Sequence, residues 1–262
     1  MASNVFIIPA GKLFFAQSPG VAEQYFGETP GAELSVDIKS VEVYGSDAPV
    51  SELIDEIPFG VARELSFKCI NPSDAVVDWF FAADPATLSQ ASGSVTNEAF
   101  DDVAQGVYYQ LGVTALNPTG VRDITTVVVT DDTSPTPVSF DVTDDYTVDL
   151  ELGRLYIVPG GAITAGTNLR VDYATTLRTR TQHTATPDLA ARLTGALRMI
   201  ASNTSGVNRD LYAPKVVLRA DGSVQIKRGQ QDGKVQEFGF KCRFQASGEL
   251  AAVYIDGRAV AA

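Results

Sequence analysis

His183 is the side chain best suited to catalysis or metal binding in this sequence, because it is the only histidine. It lies in the polar stretch 181–184 (TQHT), and no cysteine or glutamate is spaced from it as in known metal sites. A serine hydrolase would need His183 as its base and a Gly-x-Ser-x-Gly turn for its nucleophile, and the sequence contains no such turn. We therefore expect neither a catalytic nor a metal-binding role for His183.

Paired carboxylates are the next candidates for chemistry. They occur as Asp101-Asp102, Asp131-Asp132 and Asp144-Asp145. Adjacent residues of a strand point to opposite faces, so such pairs are poor partners for general acid and base catalysis. The acidic segment 131–151 could bind calcium through its oxygens, but it lacks EF-hand spacing, and solvated surface charge is the preferred interpretation. The sequence predicts no enzyme, no metal and no cofactor.

Cys69 and Cys242 are the only cysteines, too few for a disulfide scaffold. Each lies in an alternating apolar stretch, so we expect both to be small buried residues of strands. They could approach each other if their two strands pair. The reducing cytoplasm in which we expect the chain to be made argues against a bond between them.

The net charge of −12 disfavours a protein that grips nucleic acid, since phosphate binding needs a basic surface. The charge is uneven. Residues 121–152 hold eight acids and one base, which gives −7, while residues 175–228 hold nine bases and three acids, which gives +6. The acidic part suggests a small module, residues 121–174, inserted in a main domain of residues 1–120 and 175–262.

The elements that would carry any site are mostly strands. Residues 33–44 alternate in polarity, and the apolar parity changes after Ser40, which predicts a bulge there. Residues 45–60 carry Pro49, Pro58 and four acids and are predicted to be a long exposed loop. Residues 1–25 hold short apolar runs without a helical period and are interpreted as an N-terminal arm, which would pack on its own core in a monomer and is also suited to lie on a neighbouring copy.

One helix is predicted over about residues 73–84, with Ser73 as its N-cap and Asp84-Pro85 as its end. Its apolar stripe is expected to be Val76, Val77, Phe80 and Phe81. After residue 107 the pattern is almost entirely β. Asp221-Gly222, between residues 216–218 and 224–226, predicts a hairpin, and Asp232-Gly233 precedes the alternating stretch 235–244. The fold class is therefore mainly β, a β-sandwich or barrel with one flanking α-helix and an inserted small β module.

Two segments resemble the tail tube proteins of long-tailed, siphovirus-type bacteriophages. Residues 24–47 (QYFGETPGAELSVDIKSVEVYGSD) resemble the family's opening turn, alternating strand and loop. Residues 125–173, with DYTVD at 145–149 and GRLYI at 153–157, resemble a strand–glycine turn–strand segment of siphophage tail proteins. The resemblance implies a fold shared with the type VI secretion tube, in which six copies form a ring and the rings stack into a tube.

The resemblance also implies a location and partners. The protein would be assembled in the host cytoplasm and reside in the tail of the virion, with no membrane association. Its partners would be copies of itself, the tape measure protein and the tail-end proteins. Genomic DNA would pass through the tube during ejection without specific binding.

We expect ring stacking to use the arm and the long loop, which a compact monomer does not need. Deleting residues 1–10 should then leave folded protein that makes no tubes. A further contact between copies is possible. The basic residues of the segment 175–228 could pair with acids of the long loop in a neighbouring copy. The expected interface residues are Val5, Phe6, Ile7, Ile8, Phe14, Phe15, Glu52, Leu53, Ile54, Asp55, Glu56, Ile57 and Phe59.

Two alternative functions stay open. Another tail or capsid component, such as a tail terminator or a decoration protein, would appear in electron micrographs as lone monomers or trimers, whereas a tube protein would form tubes or hexameric rings. A secreted carbohydrate-binding β module belongs to a different class. The sequence shows no signal-peptide pattern near Lys12, its first basic residue, and this argues against the carbohydrate-binding alternative.

Overall fold

The chain forms two compact units in a computed structural model, which describes residues 7–18, 20–47, 50–186, 193–227 and 235–258. Unit 1 is Met1–Asp84 with His183–Ala262, and unit 2 is Pro85–Gln182. The chain is mainly β with a sandwich-like fold, and its described part contains one helix, α1 (Asp74–Phe81). The strands are β1 (Gly11–Ala16), β2 (Gln24–Tyr25), β3 (Glu33–Tyr44), β4 (Leu53–Cys69), β5 (Ala83–Gln90), β6 (Gly93–Val103), β7 (Tyr108–Gln110), β8 (Ile124–Asp131), β9 (Tyr146–Asp149), β10 (Arg154–Ile157), β11 (Thr167–Thr175), β12 (Arg178–Ala185), β13 (Thr194–Ala201), β14 (Asn208–Ala220), β15 (Phe238–Phe244) and β16 (Tyr254–Arg258).

Unit 1 is built on one antiparallel sheet of eight strands. Its order is β2-β1-β13-β14-β15-β4-β3, and β16 pairs with the first part of β14. Because successive side chains of a strand point to opposite faces, central strands such as β14 and β15 send alternate residues into the core. The alternation predicted for residues 235–244 is confirmed in β15, whose buried side chains are Phe238, Phe240, Cys242 and Phe244.

The hairpin predicted at Asp221-Gly222 is wrong. Strand β14 pairs with β15, from Val216 opposite Phe244 to Ala220 opposite Phe240, and residues 224–226 form no strand. The alternating aromatic residues of β15 bury more apolar surface than residues 224–226 could, so pairing skips the nearer segment. Asp232-Gly233 lies outside the described residues.

The helix covers the core face of this sheet. It begins after Ser73, as predicted, and ends at Ala82 in the left-handed conformation, before the predicted stop at Asp84-Pro85. The predicted apolar stripe is wrong in one member, Phe81, and it omits Trp79. Trp79 is buried, with its ring 5.0 Å from that of Phe15, whereas Phe81 is 45% exposed. Val76 and Trp79, one turn apart, therefore set the buried side of this short helix.

The long loop predicted for residues 45–60 is wrong from Leu53 onward. Strands β3 and β4 form a long antiparallel hairpin in which Glu33 lies opposite Ser66 and Tyr44 opposite Leu53. A register shift lies at the position predicted for a bulge, between Lys39 and Ser40, but the extra residue is Phe59 of β4, because Lys39 pairs with Gly60 and Ser40 with Pro58. Pro58 lies opposite Ser40 beside this shift, a position that tolerates proline, and so the proline does not end the strand.

The segment predicted as an arm, residues 1–25, does pack on the core of its own chain, but residues 11–16 and 24–25 are strands of the sheet and not an arm. Strand β1 lies inside the sheet, between β2 and β13, and the side chains of Leu13 and Phe15 are fully buried. Its partner β13 is about 185 residues away in sequence, with Gly11 opposite Ala201. Such a distant pairing leaves no local trace in the sequence.

Unit 2 has its own apolar core between two three-stranded sheets, β6-β11-β8 and β7-β10-β9. It is larger than the predicted insert 121–174, because β6 pairs with β11 and Val103 and Leu111 belong to its core. The strand–turn–strand segment expected at 145–157 is present as β9 and β10. Gly153 makes the turn at φ +62°, where a Cβ would lie 2.4 Å from the carbonyl oxygen of Val121.

Unit 2 contains a buried carboxylate. Asp145 accepts hydrogen bonds from the backbone N–H groups of Asp141 (2.9 Å) and Ala162 (2.6 Å). These bonds favour the charged form, so they lower the pKa of Asp145.

The segments that enter and leave unit 2, β5 and β12, pair with each other as a two-stranded sheet.

Candidate assembly surface

The hairpin of β3 and β4 is the most apolar exposed feature of unit 1, and we call residues 33–61 the assembly hairpin. Strand β3 is the last strand of the sheet, so its outer backbone edge has no strand partner among the described residues. The apolar side chains of the hairpin are exposed on both faces, for example 66% for Phe59 and 70% for Ile54 in β4. The exposed large apolar residues are Leu34, Val36, Ile38, Val41, Val43, Tyr44, Val50, Leu53, Ile54, Ile57, Phe59 and Val61.

The two faces of the assembly hairpin carry separate apolar patches. Near the sheet, Leu34, Val36 and Ile38 lie on the same face as buried Leu65, together with Val61; we call this the base patch. Because β3 alternates, Val41 and Val43 point to the opposite face, where Ile57 lies across from Val41; we call this the tip patch. The register shift beside Ser40 separates the two patches.

Polar side chains complete the face of the tip that lies opposite the tip patch. The Ser40 hydroxyl donates a hydrogen bond to Glu56, and the Tyr44 hydroxyl donates to Glu42 over 2.5 Å. Ser40, Glu42, Tyr44 and Glu56 therefore lie on one face of the hairpin. The hydrogen bond from Tyr44 to Glu42 raises the pKa of Tyr44. The hairpin thus presents apolar surface to one side near the sheet and to the other side near its tip, which suits contacts with two different surfaces.

The tip of the assembly hairpin is acidic. Residues 40–58 contain five acids and no lysine or arginine, which gives a charge of −5. Glu42 and Glu56 lie directly opposite each other in the two strands. The carboxylates of two directly opposite glutamates repel each other. The tip therefore presents a negative surface that a positively charged surface could neutralise. The acids of the tip are Glu42, Asp47, Glu52, Asp55 and Glu56.

The face of the unit 1 sheet that points away from the core carries basic residues. Arg219 of β14 lies opposite Lys241 of β15, and Arg243 lies opposite Glu64 of β4. A shallow cavity of about 180 Å³ lies among these four side chains. We call Arg219, Lys241 and Arg243 the basic patch.

Most interface residues predicted from the sequence do lie on exposed surface. Glu52 is exposed beside β4, and Leu53, Ile54, Asp55, Glu56, Ile57 and Phe59 are exposed within it. Ile7 and Ile8 are exposed, and Ile8 bridges to Ser205. Val5 and Phe6 lie outside the described residues.

One of the predicted interface residues, Phe15, is wrongly assigned. Phe15 is fully buried in the core of unit 1, where its ring contacts those of Phe26 and Trp79, so it cannot contact another copy. Phe14 is half-buried on the other face of β1, with its ring 5.5 Å from that of Tyr25. The sequence prediction missed the β3 half of the hairpin, because alternation in a strand does not reveal that both faces are exposed.

The groups with possible chemistry have structural partners. His183 hydrogen-bonds through Nδ1 to Asp78, the buried carboxylate of α1, a contact between residues 105 apart in sequence. Burial raises the pKa of both the Cys69 and the Cys242 thiols. Within the described ranges, no group of three or more His, Cys, Asp or Glu side chains is placed to hold a metal ion.

The cysteine strands β4 and β15 pair, but their register keeps the two thiols apart. Cys69 lies opposite Phe238, whereas Cys242 lies opposite Leu65, which is four residues before Cys69 in β4. At about 3.3 Å per residue, this separates the two cysteines by about 13 Å along the strands, beyond the reach of a disulfide.

Comparison with known proteins finds no family for this chain. No protein-family model matches it, and no curated protein matches it significantly. Across the residues that the structure describes, no helix is long and apolar enough to cross a membrane. Inference about function therefore rests on the assembly hairpin, the sheet edges and the charge pattern.

Proposed function

We propose that this chain is a non-enzymatic structural protein that assembles with copies of itself into stacked rings. The observation that carries the proposal is the assembly hairpin, a long two-stranded extension with apolar side chains exposed on both faces. A monomer gains nothing from such a hairpin, since its apolar surface stays in water. Exposed apolar patches of this kind mark contact surfaces.

Open sheet edges support assembly in rings. Strand β3 ends the sheet on one side, and β2 on the other side covers only Phe14 and Phe15 of β1. Unpaired edges are a hazard for a monomer, and pairing the β3 edge of one copy with the opposite edge of the next would satisfy both. Head-to-tail contacts of this type generate closed rings, and a closed sheet has no edges left.

The resemblance to tail tube proteins gives these rings a specific role. Hexameric rings stacked through the assembly hairpins would form the tube of a long-tailed phage, around its tape measure protein and between its tail-end proteins. The tube would act as a passive conduit for DNA ejection. The net charge of −12 fits a wall that does not retain the duplex by phosphate binding.

The experiment compares the full chain with a variant whose hairpin is shortened. Replacing residues 37–62 by Asn-Gly joins Val36 and Arg63, which are directly paired, through a two-residue turn. A control replaces residues 132–137 of unit 2 by Asn-Gly, between Asp131 and Val138, whose backbones are also hydrogen-bonded. Circular dichroism melting checks that each variant folds.

We expect the full chain and the control to form rings and tubes in negative-stain micrographs, while the folded short-hairpin variant forms no tubes. Tubes made by the short-hairpin variant, or a full chain that stays monomeric, would overturn the proposal. Rings of the full chain that never stack would instead support a tail terminator, and lone trimers a decoration protein.

A further inference from the structure

We propose that the basic patch of one copy receives the acidic tip of the assembly hairpin of a second copy. The inference rests on the proposed function and deepens it, because it names the partner surface of the same hairpin. The occupant is a second copy of this chain, and the contact is electrostatic at its centre.

Among the residues that the structure describes, the basic patch lacks a full set of partner carboxylates. Arg219 and Lys241 are like charges on directly opposite positions, which repel each other. Lys241 is balanced by Asp221, with 3.1 Å between Nζ and Oδ1. For Arg219 and Arg243, both exposed, the described residues place no carboxylate within ion-pair distance.

The acidic tip has the matching geometry. Glu42 and Glu56 form a pair of carboxylates on directly opposite positions, just as Arg219 and Lys241 form a pair of cations. Opposite residues of an antiparallel pair have Cα atoms about 4.5–5.5 Å apart. The two charge pairs therefore have similar spacing, and docking them would turn two repulsive pairs into attractive contacts.

The contact cannot form within one copy. Lys241 lies opposite Ser66 of β4, in the row that also contains Arg219, whereas Glu56 lies ten residues earlier in the same strand. At about 3.3 Å per residue, the continuous strand holds Glu56 about 33 Å from that row. A second copy must therefore supply the carboxylates.

Nucleic acid is the other polyanion that a basic patch could bind, and the surroundings favour the hairpin. Glu64 lies in the same cavity as the three cations, and Glu33 lies opposite Ser66 in the row of Lys241. Carboxylates beside a cation site weaken phosphate binding, which needs a continuous basic surface. A folded hairpin can instead place Glu42 and Glu56 on the cations, while the Ser40 and Tyr44 hydroxyls of the same face lie beside these carboxylates.

The experiment is a charge swap in the full chain. One variant carries Arg219→Glu and Lys241→Glu, a second carries Glu42→Lys and Glu56→Lys, and a third carries all four changes. A control carries Arg209→Glu and Lys227→Glu, which are exposed cations of unit 1 outside the basic patch. Sedimentation velocity gives the critical concentration for assembly, and thermal melting checks the fold.

We expect each two-residue reversal to raise the critical concentration at least about tenfold, as for close charge pairs at interfaces. The four-residue swap should restore assembly to within a few-fold of the wild type, and the control should leave it unchanged. The critical concentration of the wild type should also rise with salt, and that of the reversed variants should not.

Three outcomes separate this inference from the proposed function. The inference would be overturned if the reversed variants had the critical concentration of the wild type, or if the four-residue swap did not restore assembly. Rings formed by the wild type would still support the proposed function in that case. Binding of duplex DNA by the wild type that is lost on Arg219→Glu with Lys241→Glu would assign the patch to nucleic acid and overturn the inference. A wild-type chain that never assembles would overturn both.

Discussion

Polar substitution of the tip patch should block assembly without unfolding the chain. The perturbation is Val41→Thr, Val43→Thr and Ile57→Thr, side chains that are 54%, 37% and 51% exposed. Full burial of a Val or Ile side chain contributes about 1.5–3 kcal/mol, and about half of each side chain is still exposed, so covering each in an interface contributes about 1 kcal/mol. The triple variant therefore loses about 3 kcal/mol of each contact, which is about a hundredfold in the association constant.

The assay is sedimentation velocity over a range of protein concentrations, with thermal melting of the dilute protein. Exposed positions usually change stability by less than about 0.5 kcal/mol, so the melting temperature should barely move. A matched control carries Val128→Thr, Val138→Thr and Val142→Thr, side chains of unit 2 with similar exposure. If the tip variant assembled at the same protein concentration as the wild type, the reasoning would be refuted, because the tip patch would then not lie in a contact between copies.

The remaining predictions concern folding and the titratable groups. Phe240→Ala should destabilise unit 1 by about 3–5 kcal/mol in urea unfolding, because its fully buried ring packs among three other aromatic rings, and an unchanged unfolding midpoint would contradict this. Unit 2, expressed alone as Pro85–Gln182, should unfold cooperatively, since it has its own core; a broad, gradual melt would speak against an independent unit. Cys69 and Cys242 should resist a thiol reagent until the protein unfolds, because both are buried with raised pKa values; rapid labelling in native buffer would disprove that. The lowered pKa of Asp145 stabilises the fold above about pH 4, its pKa in the unfolded chain, and this stability is lost as the pH falls through the folded-state pKa. Isolated unit 2 with Asp145→Asn should therefore lose less stability on acidification than the wild type, and an equal loss would exclude this role of Asp145.

Several parts of the fold are readable from the sequence because they depend on local chemistry. Alternating aromatic residues predict β15, Ser73 predicts the start of α1, and the parity change at Ser40 predicts the position of the register shift. Each of these signals comes from neighbours within a few residues. A strand with alternating apolar residues and a helix start with a capping residue can both be recognised from such local patterns.

The failures have non-local causes. Residues 53–60 carry proline, glycine and acids, which favour a loop, yet they form a strand because β3 offers a continuous pairing partner. Strand β1 resembles an arm because its partner β13 is far away in sequence. Pairing of distant segments decides both cases, and neither segment contains the information alone.

The candidate site shows the same division. The acidic half of the assembly hairpin could be found from the sequence, because its charge and apolar residues have no use in a compact core. The basic patch could not, since Arg219 lies in the predicted basic segment while Lys241 and Arg243 lie outside it. Only the register of β14 with β15 brings these residues together.

The central claim is that the free edge of β3 completes its hydrogen bonding with another copy. Hydrogen exchange followed by mass spectrometry tests it most directly, in dilute protein and in protein concentrated until it assembles. We predict that the alternate amides of β3 that point away from β4 exchange fast in the dilute state and become protected on assembly. Equal exchange of these amides in both states, with the protein concentrated to millimolar levels, would contradict the account.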